Sequence, residues 1–496
     1  MSLGPRSARL RAAPVALGAV ALAGAVVYGA GVPHNPPGFD LDESSVAYNA
    51  YTIANSGRDE HGVSWPLYFR AFGEYKNPVY IYLLAAVFRA VGPTIATARW
   101  LSAALGAAAV LLIAVLAYRL SARAVVAVVI TASALLTPWL FEVSRLVYEV
   151  AAYPLCVALL LVCVQAAQAR ERWSYGDALR VAGALALVTY GYSIGRLLGP
   201  LLAAGLITFA EQRHRRGVIA TWLVFVVALL PLAVYHVLHP GALTARFASI
   251  SYVDTRDPLG SAARFARLYA RNVGPHGLLL WGDANPRHHV PVAGELLVGT
   301  ALLAAIGVAI MLVQHRRSAW SRYVLFGLAV APVPAALTDE GGFHALRLVA
   351  FPVFALACAV PAAQWLWREG ASVPLRFARV AVLILTAAQG VLFHRGFAVA
   401  RDHPTRTAAF DAPYPAAFRR AMARPERPVF LSEEDGGYYV HAYWYAALHG
   451  ADTLEFRRVP VGARVPAEGQ LLRYSPRPWS GTDWLASFRS PIAAIW

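Results

Sequence analysis

Residues 38–91 read GFDLDESSVAYNAYTIANSGRDEHGVSWPLYFRAFGEYKNPVYIYLLAAVFRAV, and the placement of this stretch decides how the rest of the chain is threaded. Its first part gathers Asp40, Asp42, Glu43, Asp59, Glu60, Glu74 and Lys76 in a protein with only 15% charged residues. Its last part, 78–91, is apolar but carries Arg89. At ~1.5 Å per residue it is too short to cross ~30 Å of hydrocarbon upright. Were 78–91 a span, every later arginine cluster would lie across the membrane from Arg6, Arg9 and Arg11, against the positive-inside rule. The stretch is therefore expected to form a juxtamembrane or re-entrant helix.

Working outward, 58% of the 496 residues are hydrophobic and mean hydropathy is +0.49. Several apolar runs reach the roughly 20 residues a transmembrane helix requires. The expected fold class is an all-α polytopic membrane protein of about 11 spans, plus juxtamembrane helices. The spans are 13–32, 99–118, 124–140, 150–168, 179–191, 195–211, 217–237, 293–313, 322–338, 346–366 and 377–393. The apolar run behind the N-terminal arginines exceeds the ~7–15 residues of a signal h-region, so an uncleaved first helix is expected. With a cytoplasmic N-terminus, the arginine-rich short loops fall inside (Arg119/Arg123, Arg213/Arg215/Arg216, Arg316/Arg317). Outside lie the loop 33–98, the loop 239–292 and a tail from 394. The division expected is a membrane domain, 1–393, and an extracytoplasmic α/β C-terminal region, 394–496. Within the tail, 428–432, 453–459 and 470–474 read as short strands and 437–448 as an aromatic helix.

The formal charge of +16 is spread between apolar runs and forms no basic patch, which argues against a nucleic-acid partner and for a basic outer face suited to an anionic lipid or phosphate. Cys156, Cys163 and Cys358 lie within apolar runs, so neither a disulfide nor a cysteine metal site is expected. No Walker loop, dinucleotide GxGxxG, nucleophile elbow or CxxC occurs, leaving ATP-driven transport and redox chemistry without a motif.

The polar residues that remain collect at one membrane face, and ionisable groups at membrane depth are costly enough to imply function. Asp40 and Glu43 have the spacing of a capping box opening a helix over about 43–55, which leaves Asp42 free to accept a proton from an attacking hydroxyl. Asp42 and Glu43 are the catalytic candidates; Asp59-Glu60 reads as an ordinary polar loop. Lys76 is the single lysine of the chain, and a compact ammonium suits a phosphate. Arg145 and Glu149, four apart, would share a helical face. Tyr190, Tyr192 and Arg196 fill the turn YGYSIGR, and Asp283, Arg287, His344 and Arg347 lie in two further outward loops. Arg287 and Arg347 could hold a diphosphate or phosphate. His288, His289 and His344 could ligate a metal, but no HxH or HExxH spacing supports one, so a divalent cation is possible and unsupported.

Taken in order, FDLDESSVAYNAY, PLYFRAFGEYKNPVYIYLL, SRLVYEVAAYP, TYGYSIGRLLGPLL, GDANPRHH and PAALTDEGGFHALR resemble the GT-C glycosyltransferases related to protein O-mannosyltransferases and lipid A aminoarabinose transferases, over roughly 30–400. The resemblance implies a membrane enzyme taking a sugar from a polyprenyl-phosphate donor to a glycan, lipid or protein acceptor outside the cell (inner) membrane. It matches Asp42 to a catalytic aspartate, Glu43 to its neighbour, Lys76 to a donor-phosphate lysine and Glu149 to an outer-loop acid. One departure stands out: this chain reads Lys-Asn-Pro where the pattern has Lys-Pro-Pro. Inverting displacement is expected, with the isoprenoid in a groove near 78–90. The competing reading is a transporter or flippase of the same lipid-linked glycan, and a scaffold role for the tail is a third.

Overall fold

A computed structural model describes residues 18–432, 437–460, 468–472, 474 and 478–493. Arg6, Arg9, Arg11 and the start of the 13–32 span lie outside the described residues. Helices make up most of the structure, beginning with α1 (Gly18–Gly29), and two small sheets interrupt them.

Among the described residues, four helices are long and apolar enough to cross a membrane: Ile95–Ser121, Glu149–Gln168, Arg215–Leu238 and Val373–Asp402. They coincide with four of the expected spans. Several others are shorter, and proline marks where they break. The 124–140 segment stops at Leu136 and restarts at Pro138. The 322–338 segment divides into Ala319–Val330 and Val333–Ala336 around Pro332. Arg215–Leu238 and Val373–Asp402 keep only 22% of their apolar windows buried, with Leu223, Val227, Ile384 and Leu392 turned outward. Helices so apolar on their exposed side require lipid as solvent, and the chain is an integral membrane protein. Inside the bundle, Val298–Val313 and Phe351–Leu366 approach closely at Gly307, where an added Cβ would sit 1.8 Å from the Cys358 carbonyl oxygen.

The first loop builds the frame of the site. Helix α2 (Leu41–Ser56) opens on the expected capping box: the Asp40 carboxylate accepts the Glu43 N–H at 3.0 Å and Glu43 accepts the Asp40 N–H at 3.1 Å. Strands β1 (Phe69–Ala71) and β2 (Glu74–Lys76) pair antiparallel through Phe72-Gly73, both at positive φ (50° and 77°), the turn whose twist suits a two-residue hairpin. Helix α3 (Pro78–Val91) follows with Pro78 in its first turn, where no N–H is missed.

In the tail, β3 (Val429–Ser432), β4 (Phe456–Val459) and β5 (Gln470–Leu472) form a parallel sheet in the order β4-β3-β5. Helix Tyr439–His449 packs on α2, and Phe39, Val46, Tyr80 and Phe88 share one apolar cluster with Tyr414, Phe418 and Trp444 of the tail. Gly38 (φ 68°) brings the first loop so near the tail that a Cβ would lie 2.2 Å from the Phe410 carbonyl oxygen. Residue 393 falls within the helix Val373–Val399, which runs on unbroken.

Candidate active site

The capping box turns two neighbouring carboxylates in different directions. Glu43 is fully buried, pairs with Arg99 Nη2 at 2.7 Å and accepts the Val147 N–H at 3.1 Å, so it does not reach the cavity. Burial pushes its carboxyl up to about 7 against the pull of Arg99. Asp42, one residue earlier, opens into a cavity of about 850 Å³ with 34% of its side chain exposed.

Lys76 ends β2 and reaches across to Asp42, Nζ to Oδ1 at 2.7 Å, with Glu74 Oε1 at 3.6 Å. Arg287 from the loop 239–292, the middle loop, stands behind, Nη1 at 3.9 Å from Asp42 Oδ2. Burial would raise the Asp42 carboxyl, but Lys76 and then Arg287 outweigh it and bring it down to about 2. Burial would likewise lower Lys76, yet Asp42, Glu74 and Glu149 hold its pKa above the ordinary lysine value. Both groups are charged at neutral pH. Glu149 completes this wall: it accepts the Asn77 backbone N–H and, at 3.1 Å, the Asn77 side-chain amide. A proline at 77 could make neither bond, so the departure from Lys-Pro-Pro is tied here to a buried carboxylate.

A second wall comes from the later loops. Asp283 accepts the N–H groups of Asn285 and Ala345, each at 2.9 Å, and lies 2.9 Å from His288 Nδ1. Burial acts against its ionisation, but His288 and these donors hold its carboxyl well below the usual range. Arg347 donates to Thr338 Oγ1 at 2.8 Å and pairs with Glu340, which also receives Arg246 Nη2 at 2.9 Å. A hydrogen bond from His344, with Arg347 and Arg246 adding to it, brings Glu340 down to about 2 despite burial. His344 itself is lowered, chiefly by burial.

Asp42, Lys76, Glu149, Tyr192, Arg196, Asp283, Arg287, His288, His344 and Arg347 thus line one cavity. Arg196 packs its guanidinium 5.4 Å from the Tyr68 ring and donates to the Leu243 carbonyl. Arg145 and Tyr190 do not line the cavity. No single helix carries both Arg145 and Glu149: one helix ends at Val143, the next turn begins at Glu149, and Arg145 stacks 4.2 Å from Phe141. Tyr190 Oη instead bonds the Ala228 carbonyl at 2.9 Å. Tyr148, Arg246, Glu340 and Trp479, which are not among the candidates drawn from the sequence, line the same cavity. Glu340 and Arg246 are charges between the expected spans, the signal that singled out Arg287 and Arg347. The groove expected beside 78–90 is a separate, smaller cavity of about 430 Å³; the main cavity takes its apolar lining from Leu243, Phe247, Ile250 and Leu337.

Among the described residues, two groups of side chains have the spacing to hold a metal ion, one ligand atom from each residue within 4.8 Å of the others: Asp283, His288 and His344, and Glu142, His289 and Glu295. In the second, both His289 ring nitrogens are engaged, by Glu142 at 2.6 Å and the Ala293 carbonyl at 2.8 Å, which does not fit a ligand role. In the first, His344 Nδ1 is buried without a hydrogen-bond partner and could ligate a divalent cation, although Asp283 already serves three donors.

No protein-family model and no curated protein sequence matches the chain. Its fold nonetheless resembles that of solved structures. It is similar to ArnT from Cupriavidus metallidurans bound to undecaprenyl phosphate, with a TM-score of 0.55 and 14% identity over 90% of this chain and 89% of that one. It is similar also to apo ArnT from the same organism, TM-score 0.56 and 14% identity over 88% and 85%. At this identity the likeness defines the fold.

Proposed function

We propose that the chain is a multi-pass glycosyltransferase that moves a sugar from a polyprenyl-phosphate carrier to an acceptor on the extracytoplasmic side of the inner membrane. The observation that carries this reading is the Lys76–Asp42 pair, 2.7 Å apart in a cavity that also holds Arg287, Arg196 and Arg347. A carboxylate to take a proton and cations to take a phosphate are the two elements glycosyl transfer from a lipid phosphate needs. The GT-C fold, with undecaprenyl phosphate bound in one ArnT structure, supports the class of donor. The spans of 179–191, 195–211 and the other short segments, with the cytoplasmic N-terminus, belong to the same proposal.

Lys76 and Arg287 restrain the candidate base. Asp42 at about 2 is ionised but weakly basic because Lys76 and Arg287 hold its charge. A donor phosphate entering the cavity competes for those cations, and the carboxylate left without them becomes the stronger base. The acceptor oxygen then attacks the anomeric carbon, the bond from that carbon to the phosphate oxygen breaks with inversion, and the hydroxyl proton passes to Asp42. Lys76 and Arg287 stabilise the departing lipid phosphate. Leu243, Phe247 and Ile250 offer the isoprenoid an apolar bed.

In a strain lacking the protein, envelope glycans analysed by mass spectrometry should lose one residue. Wild type should restore it, and Asp42→Asn, made at equal membrane level, should leave transfer reduced by about 10³-fold. Full restoration by Asp42→Asn would remove the proposed base.

A further inference from the structure

The tail returns to the cavity at its end. Trp484 is fully buried and donates its indole N–H to the His289 carbonyl at 3.0 Å. Its ring meets His403 edge-on at 5.1 Å. Gly481 passes so close to the middle loop that an added Cβ would lie 3.0 Å from the Ala284 carbonyl oxygen. These contacts fix residues 478–480, which carry Trp479 to the cavity wall. Trp479 is 36% exposed, and its ring centroid lies 6.0 Å from the Arg287 guanidinium carbon. Arg287 in turn touches Asp42, so one side chain links the indole to the candidate base.

We propose that Trp479 is the stacking platform for the sugar ring of a glycan acceptor. This rests on the transferase reading above and adds to it the acceptor class and a role for the tail. An indole is a large, rigid, amphipathic surface held at little entropic cost. The C–H face of a pyranose or furanose ring lies well on such a surface, while its hydroxyls turn to charged groups. Here those groups are Arg287 and, beyond it, Asp42, which must come within hydrogen-bond reach of the attacking hydroxyl. The isoprenoid's apolar lining is supplied by a different element, the helix Ala245–Ile250 and its approach. Trp479 is therefore not needed for the carrier, and an aromatic face beside the base serves the other substrate.

The test uses the full-length chain in lipid nanodiscs with neutral manno-, gluco- and arabino-tetraoses as probes, read by saturation-transfer NMR. Wild type should transfer saturation to the ring C–H protons of at least one tetraose. Trp479→Ala should weaken that binding about tenfold, and Trp479→Phe should hold it within about twofold. Undecaprenyl phosphate binding is measured on the same samples by native mass spectrometry. Retained lipid binding with no tetraose bound by wild type, or equal tetraose binding by wild type and Trp479→Ala, overturns the acceptor platform and leaves the donor reading standing. Loss of lipid binding by wild type would instead count against that donor reading. Quenching of the Trp479 contribution by brominated lipid, taken as the difference from Trp479→Phe, would place the ring in the membrane and overturn the proposal also.

Discussion

Two sets of ion pairs lie within a short distance of each other and are built on different terms. Beneath the site, Glu43 with Arg99 and Glu142 with His289 are sealed, each partner at most 3% exposed. In the cavity, Asp42 with Lys76 and Glu340 with Arg246 and Arg347 leave at least one partner open to solvent. The sealed pairs have no spare capacity, since breaking one strands a buried charge. The open pairs can exchange partners, because an incoming anion can replace a carboxylate at its cation. Charge alone therefore does not mark the site; charge that can change partner does.

The largest effect that breaks this contrast is expected at the sealed end. Arg99→Met should leave Glu43 uncompensated and cost about 3–5 kcal/mol in unfolding measurements, a loss that Glu43→Gln in the same chain should partly reverse. An Arg99→Met protein as stable as wild type would mean that the pair does not support the frame. His289 sharpens the contrast through pH. Burial acts against its charge, but Glu142 outweighs burial and raises it to about 9. A pKa raised on folding contributes stability that is complete below the unfolded value of about 6.5 and is lost as pH rises through about 9. The stability difference between wild type and His289→Gln should therefore shrink by about 3 kcal/mol between pH 6.5 and 9.5, followed by thermal melting. A flat difference would show that His289 is neutral in the fold. The smallest effect is at the seam between the two sets: Asn77→Pro removes both hydrogen bonds to Glu149 and should cost about 1–3 kcal/mol, with an unchanged melting temperature counting against the link.

Much of the fold was legible where local rules act alone. The capping box at Asp40–Glu43, the proline start of α3 and the strands of the tail followed from residue type and spacing. The eleven expected spans were less so, because hydropathy reports an apolar segment but not where Pro138 or Pro332 divides it. For the site, clustering of rare charge on one face was enough to bring Asp42, Lys76, Arg287 and Arg347 together. It failed at Glu43 and Arg145, since adjacency in sequence does not say which side of a helix end a side chain takes, or whether a helix is there. Trp479 was out of reach: the docking of Trp484 on the His289 carbonyl is what brings residues 478–481 to the cavity.

In the proposed reaction, the cation now held by Asp42 is the one that binds the donor's phosphate. Native mass spectrometry of the full-length protein titrated with undecaprenyl phosphate tests it directly. Lys76→Ala should bind the lipid at least about tenfold more weakly than wild type, while Asp42→Asn, which frees Lys76, should bind it as well or better. Lys76→Ala binding undecaprenyl phosphate like wild type would contradict the account.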